Sequence, residues 1–208
     1  MHLGETPALP TRRVILPFEP DRAGVAAMTR VKSTLLHSSQ QSLRERGHFA
    51  AYARSLGSSD LEAIRSQLAP AWLPGRLALA HYRACDSLDL PPSECVALGQ
   101  RVSTLSQGTV AATLVRLARQ TGATPLVLMS SYQRLWARVW TGSAVSVVQV
   151  GPKDVEIEIA HNECVGIPYF RAAFRGIVAG ISELVCARAF CRESRLLDDG
   201  AAFRLMWA

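Results

Sequence analysis

The chain has 208 residues, 49% of them apolar, 19% charged, and a formal net charge of +6. That length supports one large domain, or one domain with a tail, with a full core; charged residues fall below the usual quarter, which points to extra buried surface in a pocket or against a partner. No apolar run is long enough to span a bilayer, and the opening "MHLGETPALPTRR" lacks the apolar segment of a signal peptide, so a cytoplasmic protein is expected.

In chain order, residues 1–26 read as an N-terminal arm and residues 27–208 as a single domain. The first ten residues are polar and marked by Pro and Gly, a pattern that frays. "RRVILPF" reads as a short strand, and Pro17 and Pro20 place it at an edge. From Gly24 to about Trp140 the period is helical. "SQQSLRERGHFAAYARSL" sets Leu43, Phe49 or Ala50, Ala53 and Leu56 near one face, with Gly47 as a weak point. "SSDLEAIRSQLAP" carries a capping box of Ser59 and Glu62, then Leu61, Ile64 and Leu68 at helical spacing before Pro70. "LPGRLALAHYRACDSL" continues with Leu77, His81 and Leu88. "PPSECVALGQRVSTL" starts after two prolines, with Ser93 as its cap. "GTVAATLVRLARQTG" puts Val110, Leu114, Leu117 and Ala118 inward and stops at Gly122. "TPLVLMSSYQRLWARVW" carries the apolar row Leu128, Tyr132, Leu135, Trp136, Val139 and Trp140.

At Gly142 the period changes to two. "SAVSVVQVG" and "DVEIEIAHN" are alternating runs joined at Gly151 and Pro152, a hairpin with one wet face. "IPYFRAAFRGIVAGISELV" is a helix entered at Pro168, with Phe170, Phe174, Ile177, Ile181 and Leu184 along one stripe. Its second stripe is small: Ala172, Gly176 and Gly180. Interior glycines cost about 1 kcal/mol each against alanine, so something approaches closely there, either its own sheet or a helix of another chain. "LVCARAFC" and "AAFRLMWA" close the chain as two strands joined by "RESRLLDDG". The fold class expected is α+β: helices packed with a C-terminal antiparallel sheet in a ββαββ module.

Chemistry is sparse. Only Lys32 and Lys153 are lysines, and the arginines, among them Arg116, Arg119, Arg134, Arg138, Arg171, Arg175 and Arg192, are spread over several elements rather than gathered on one. That distribution argues against a nucleic-acid partner. The five cysteines, an odd number, read as reduced thiols. Cys186 and Cys191, placed in one strand, differ by an odd number and point to opposite faces, so they form neither a chelate nor a disulfide. A metal alternative is His161, Glu163 and Cys164 with Cys191 nearby, without a repeated close-spaced ligand pair. No P-loop, dinucleotide fingerprint, HExxH or GxSxG is present. Asp198 and Asp199, beside Gly200, read as turn residues. What remains is Tyr132, Trp136 and Trp140, either core or a pocket wall, and His81, either a satisfied core residue or a ligand contact.

The order of "TRVKSTLLHS", "LAPAWLPGRLALAHYRACDSL", "VALGQRVSTLSQGTVAATLVRLARQTGATPLVLMSSYQRLWARVW" and "VQVGPKDVEIEIAHN…FRAAFRGIVAGISELVCARAFCRESRLLDDGAAFRLMWA" resembles an uncharacterised family of paralogous domains in myxobacteria, over about residues 29–208. That family is similar in turn to the haem–nitric-oxide-binding domains and the four-vinyl-reductase domains. The resemblance implies a helical part, an antiparallel sheet crossed by a helix, and a role in sensing, regulation or assembly rather than catalysis. Two departures qualify it. In the haem group a histidine before the first hairpin ligates iron and a Tyr-x-Ser-x-Arg motif holds the propionates; "SSYQRLWARVW" has no histidine and "EIEIAHNEC" lacks the motif. In the four-vinyl-reductase group a second cysteine lies in the last hairpin, where this chain has Ala201. The expectation is a non-enzymatic domain without cofactor, binding a small apolar ligand at Tyr132, Trp136, Trp140 and His81, or pairing as a homodimer or with a protein partner through Ala172, Gly176 and Gly180. The alternative is a structural dimer without a ligand.

Overall fold

A computed structural model describes residues 12–105 and 124–208. The polar opening expected to fray and the amphipathic segment expected with Val110, Leu114, Leu117, Ala118 and Gly122 lie outside the described residues. The architecture is α+β. Strands β5 (Ala144–Gly151), β6 (Asp154–Ala160), β7 (Ala189–Leu197) and β8 (Gly200–Trp207), with β1 (Arg13–Leu16), form an antiparallel sheet of order β1-β5-β6-β8-β7. Strands β2 (Arg30–Lys32), β3 (Trp72–Pro74) and β4 (Trp140–Thr141) form a smaller sheet of order β3-β2-β4.

Alternation sets the two faces of the large sheet. Val145, Val147, Val155, Ile157, Ile159, Ala201, Phe203 and Leu205 are buried, and the registers Val147↔Ile157↔Phe203 and Val145↔Ile159↔Ala201 put them in common rows. The opposite face carries Asp154, Glu156, Glu158, Arg204 and Arg195, tied by Arg195–Glu156 at 3.1 Å, Arg12–Glu156 at 2.7 Å and Arg204–Asp154. Helix α8 (Pro168–Ser182) crosses the buried face and Phe174 meets Phe203 with ring centroids 4.7 Å apart. The Asp86 carboxylate accepts the Tyr169 N–H at 2.8 Å, satisfying one of the open donors of the first turn of α8. Helices α4 (Gly75–Asp86) and α5 (Pro92–Leu105) lie on α8, and α1 (Ser33–Glu45), α2 (Phe49–Leu56) and α3 (Ser58–Arg65) complete the helical part. Ser42 of α1 donates to the Leu98 carbonyl of α5 at 3.1 Å.

Several boundaries differ from the sequence reading. The helix expected through Gly47 is two helices, because Gly47 takes φ +79° and ends α1 in the left-handed region. The Ser59 capping box does not form: Gly57 occupies the cap and no side chain caps α3. Leu68 lies beyond that helix and is exposed. Ser93 sits inside the first turn of α5, where the Pro91 carbonyl already accepts the N–H groups of Glu94 and Cys95. "TPLVLMSSYQRLWARVW" is two short helices, α6 (Pro125–Ser130) and α7 (Tyr132–Ala137), and Trp140 belongs to β4, where it pairs with Val31. Strand β7 begins at Ala189 and runs through "RESRLL"; only Asp198 and Asp199 form the turn. Cys186 therefore lies in the turn after α8, not in a strand, and the opposite-faces argument does not apply to it; its thiol donates to the Ser182 carbonyl at 3.2 Å.

The arm is stitched to the body. Arg13 and Val14 pair with Gln149 and Val148. Arg22 binds Glu158 at 2.8 Å and both oxygens of Asp199, which raises the pKa of its guanidinium and lowers that of Asp199. The pairs are partly exposed, so Arg22→Ala should cost no more than about 1 kcal/mol. It should nonetheless speed amide exchange at Val14 and Leu16 more than in β6, read by hydrogen–deuterium exchange. Equal protection in both variants would show that β1 holds without the latch.

Candidate functional site

The candidate residues converge on an aromatic seam between the helical part and the sheet. Tyr132 and Trp136 come from α7 and Trp140 from β4, and all three are buried. α7 is pinned to the sheet by Gln133, whose side-chain oxygen accepts the Val145 N–H at 2.9 Å; Gln133 carried no signal in the sequence reading. Trp136 faces Trp140 (5.7 Å between centroids) and, edge-on, Phe174 (6.1 Å). Trp140 meets Phe170 edge-on at 6.2 Å, and Phe170 stacks on Phe174 at 6.1 Å. The Trp136 indole N–H, on a side chain only 5% exposed, has no hydrogen-bond acceptor among the described residues. A buried donor left open costs about 1–3 kcal/mol, so it marks the one point of the Trp136, Trp140, Phe170 and Phe174 cluster where a polar partner would be gained. Burial, then the neighbouring Cys191, raises the pKa of Tyr132.

His81 lies at the other end of the same seam, joined by edge-on contacts of His81 with Tyr82 (4.9 Å) and Tyr82 with Phe170 (4.8 Å). Both its nitrogens are engaged: Nδ1 is 2.7 Å from the Tyr52 hydroxyl and Nε2 is 2.9 Å from the Ser39 hydroxyl. Gln40 donates its amide to the Tyr52 oxygen at 3.2 Å. Tyr52 then donates to Nδ1, and Nε2–H donates to Ser39, a chain that needs a neutral ring. Burial enforces it by pulling the His81 pKa down to about 3. The Cys85 thiol is 3.8 Å from Nε2, and burial raises its own pKa well above the ordinary thiol range.

The small stripe is placed against α5 of the same chain. A β-carbon on Gly176 would overlap the Val96 carbonyl oxygen and lie 2.8 Å from Gln100 N; one on Gly180 would strike Ser103. Gly99 returns the contact from α5, since a β-carbon there would overlap the Ala173 carbonyl. Ala172 is buried beside it. The close approach is thus made within the chain, by a helix rather than by the sheet.

The metal alternative is not assembled. The His161 Nε2 is 3.2 Å from the Arg22 carbonyl oxygen, Cys164 and Cys191 are buried, and no metal-holding group of three or more His, Cys, Asp or Glu is present among the described residues. All five cysteines are free. On the outer face, Arg22, Glu158, Arg195, Leu197, Asp198 and Asp199 line an open cleft of about 420 Å³, whose facing charges pair with one another.

The other described histidines are also engaged: His37 Nε2 lies 3.0 Å from the Ile64 carbonyl oxygen and His48 Nε2 lies 3.0 Å from Glu94. Residues 106–123 contain neither histidine nor cysteine.

No protein-family model matches this chain, and no curated protein matches it. Solved structures do. The Fe(II) unliganded H-NOX protein from K. algicida aligns over 85% of this chain and 96% of its own, with a TM-score of 0.63 and 7% identity. A point mutant of T. Tengcongensis H-NOX aligns over 85% and 97%, with a TM-score of 0.57 and 10% identity. An oxygen-binding H-NOX domain related to soluble guanylate cyclases aligns over 85% and 94%, at 0.56 and 11%. At these identities the likeness is one of fold, and the chain has the H-NOX fold.

Proposed function

We propose that this chain is a non-enzymatic sensor or regulatory domain that works without haem and takes a small apolar ligand bearing one hydrogen-bond acceptor into its aromatic seam. The H-NOX fold supports a ligand-binding role. Haem does not suit the residues present. Haem iron is held by imidazole, thiolate, thioether or phenolate. Here His81 is locked by Tyr52 and Ser39, and burial raises the pKa values of the thiols Cys85, Cys164 and Cys191 and of the phenols Tyr82, Tyr132 and Tyr169, which disfavours their ligating anions. Rings of Trp136, Trp140, Phe170 and Phe174 pack on one another between the layers, so a guest in the seam must be small and must part these rings.

The observation that carries the reading is the indole N–H of Trp136, without a partner among the described residues, within the cluster of Trp140, Phe170 and Phe174 rings. The Cys85–His81 contact offers no nucleophile, because both groups are sealed from solvent. Native mass spectrometry beside a denaturing run should show extra mass that disappears on unfolding. Trp136→Phe keeps an aromatic ring and removes the donor, so retained ligand should fall about tenfold with little change in stability. Undiminished retention would overturn the role of Trp136, and a clean dimer without extra mass would favour an assembly module instead.

A further inference from the structure

In the small sheet Val31 and Leu73 turn inward, and alternation sends Arg30, Lys32, Trp72 and Pro74 to the opposite face. Lys32 pairs with Trp72 across the strands, its Nζ 4.1 Å from the ring centroid. Trp72 is 37% exposed. The chain enters β3 through a stretch whose residues Arg65–Pro70 are all exposed, and Leu68 at its apex is 87% exposed. The loop is tied down behind the apex, where Ser33 and Ala71 exchange two hydrogen bonds, Ser33 N to the Ala71 carbonyl at 2.9 Å and Ala71 N to the Ser33 hydroxyl at 3.0 Å. A leucine and a tryptophan are therefore held out to solvent by an anchored element.

The charge around them is uncompensated. Most arginines on the outer face of the large sheet have a carboxylate partner, and Arg76, just after β3, is bound by Asp60 at 2.9 Å. Arg30, Lys32 and Arg65 have no ion pair with any described carboxylate, and Glu62, one turn before Arg65, does not bind it. Burial lowers the Arg44 pKa, and the nearby Arg65 charge lowers it further, so Arg65 faces another cation rather than a carboxylate.

We propose that this face rests on a membrane surface rich in anionic headgroups. Leu68 and Trp72 enter the interfacial layer, and Arg30, Lys32 and Arg65 meet the phosphates. Tryptophan favours that layer and each basic residue near it adds attraction. Leu68 and Trp72 are exposed singly, four residues apart, which a soft interface accepts and a protein partner would have to enclose in a groove. No described helix is long and apolar enough to cross a membrane, and so small an apex gives reversible, salt-sensitive association.

The test is flotation of the purified full chain with phosphatidylcholine vesicles, with and without phosphatidylglycerol. Recovery should require phosphatidylglycerol and fall at high salt. The double change Leu68→Ser and Trp72→Ser should lower recovery at least about tenfold, and Lys32→Glu by roughly tenfold. Leu68 and Trp72 are exposed and Lys32 is half-buried, and circular dichroism checks that the variants fold. Equal binding to neutral vesicles, or binding unchanged in both variants, overturns the proposal. Failure to float with either vesicle also overturns it and leaves the face to an acidic protein.

Discussion

Gly176→Leu should yield no folded protein, and Gly176→Ala should cost about 3 kcal/mol or more. The α5–α8 crossing is built on glycine from both sides, with backbone against backbone: Gly176 under the Val96 carbonyl, and Gly99 under that of Ala173. A backbone carbonyl does not swing aside as a flexible side chain does, so an added methyl must push whole helices apart. α8 is also the helix that covers the sheet through Phe170 and Phe174, and displacing it opens the aromatic seam at the same time. Denaturant unfolding followed by circular dichroism measures the loss. Gly166→Ala is the control, because a β-carbon there meets nothing within 4 Å, and its midpoint should stay within about 0.5 kcal/mol of the parent. A folded Gly176→Leu protein with the parent's stability would mean that the two helices are not held at this distance.

Acid should weaken the fold well before the paired carboxylates titrate. His81 has a pKa of about 3 in the folded protein against an ordinary 6.5, with burial as the cause. The unfolded chain thus binds a proton that the folded chain refuses, and stability falls as pH drops from about 6.5 toward 3. The contribution is complete above the unfolded value. Its size, at most about 5 kcal/mol, follows from about 1.36 kcal/mol for each pH unit separating the folded and unfolded values. Carboxylates with lowered values, such as Glu94 held down to about 2 by Arg46 and His48, lose their contribution lower on the scale, as pH falls from about 4.5 toward 2. The interval from 6.5 to 4.5 therefore isolates the imidazole. Unfolding midpoints across that interval should decline for the parent and stay flatter for His81→Gln, although that variant starts from a lower stability. Parallel declines would show that His81 titrates normally.

Much of this architecture was legible where periodicity was strong and local. Val155, Ile157 and Ile159 alternate without interruption, and Phe170 and Phe174 recur one helical turn apart, so the hairpin and α8 could be placed from spacing alone. Trp140 could not. Its four-residue step from Trp136 continues a helical pattern, but it lies in a strand that pairs with Val31, 109 positions away. The partner of the Gly176 stripe carried a readable signal that was missed: Gly99 and Ser103 in α5 are themselves small residues one turn apart, the mark of a second helix able to approach. The identity of His81 as a locked core group rests on Ser39, Gln40 and Tyr52, which belong to two other helices, and no pattern within α4 announces them. The capping box failed for a local reason, because Gly57 supplied the turn and the helix began one residue before Ser59.

The two borders of the large sheet are protected by different means. β7 defends itself, with a bulge between Glu193 and Arg195 and a run of exposed charges from Arg192 to Arg195, features that discourage strand addition. β5 has no such defence of its own: Ala144–Gly151 is alternating, mostly apolar and uncharged, and it is shielded by the four residues of β1. Removal of β1 would bare an unpaired strand edge, a ready template for strand addition, so the arm doubles as an edge cover for β5.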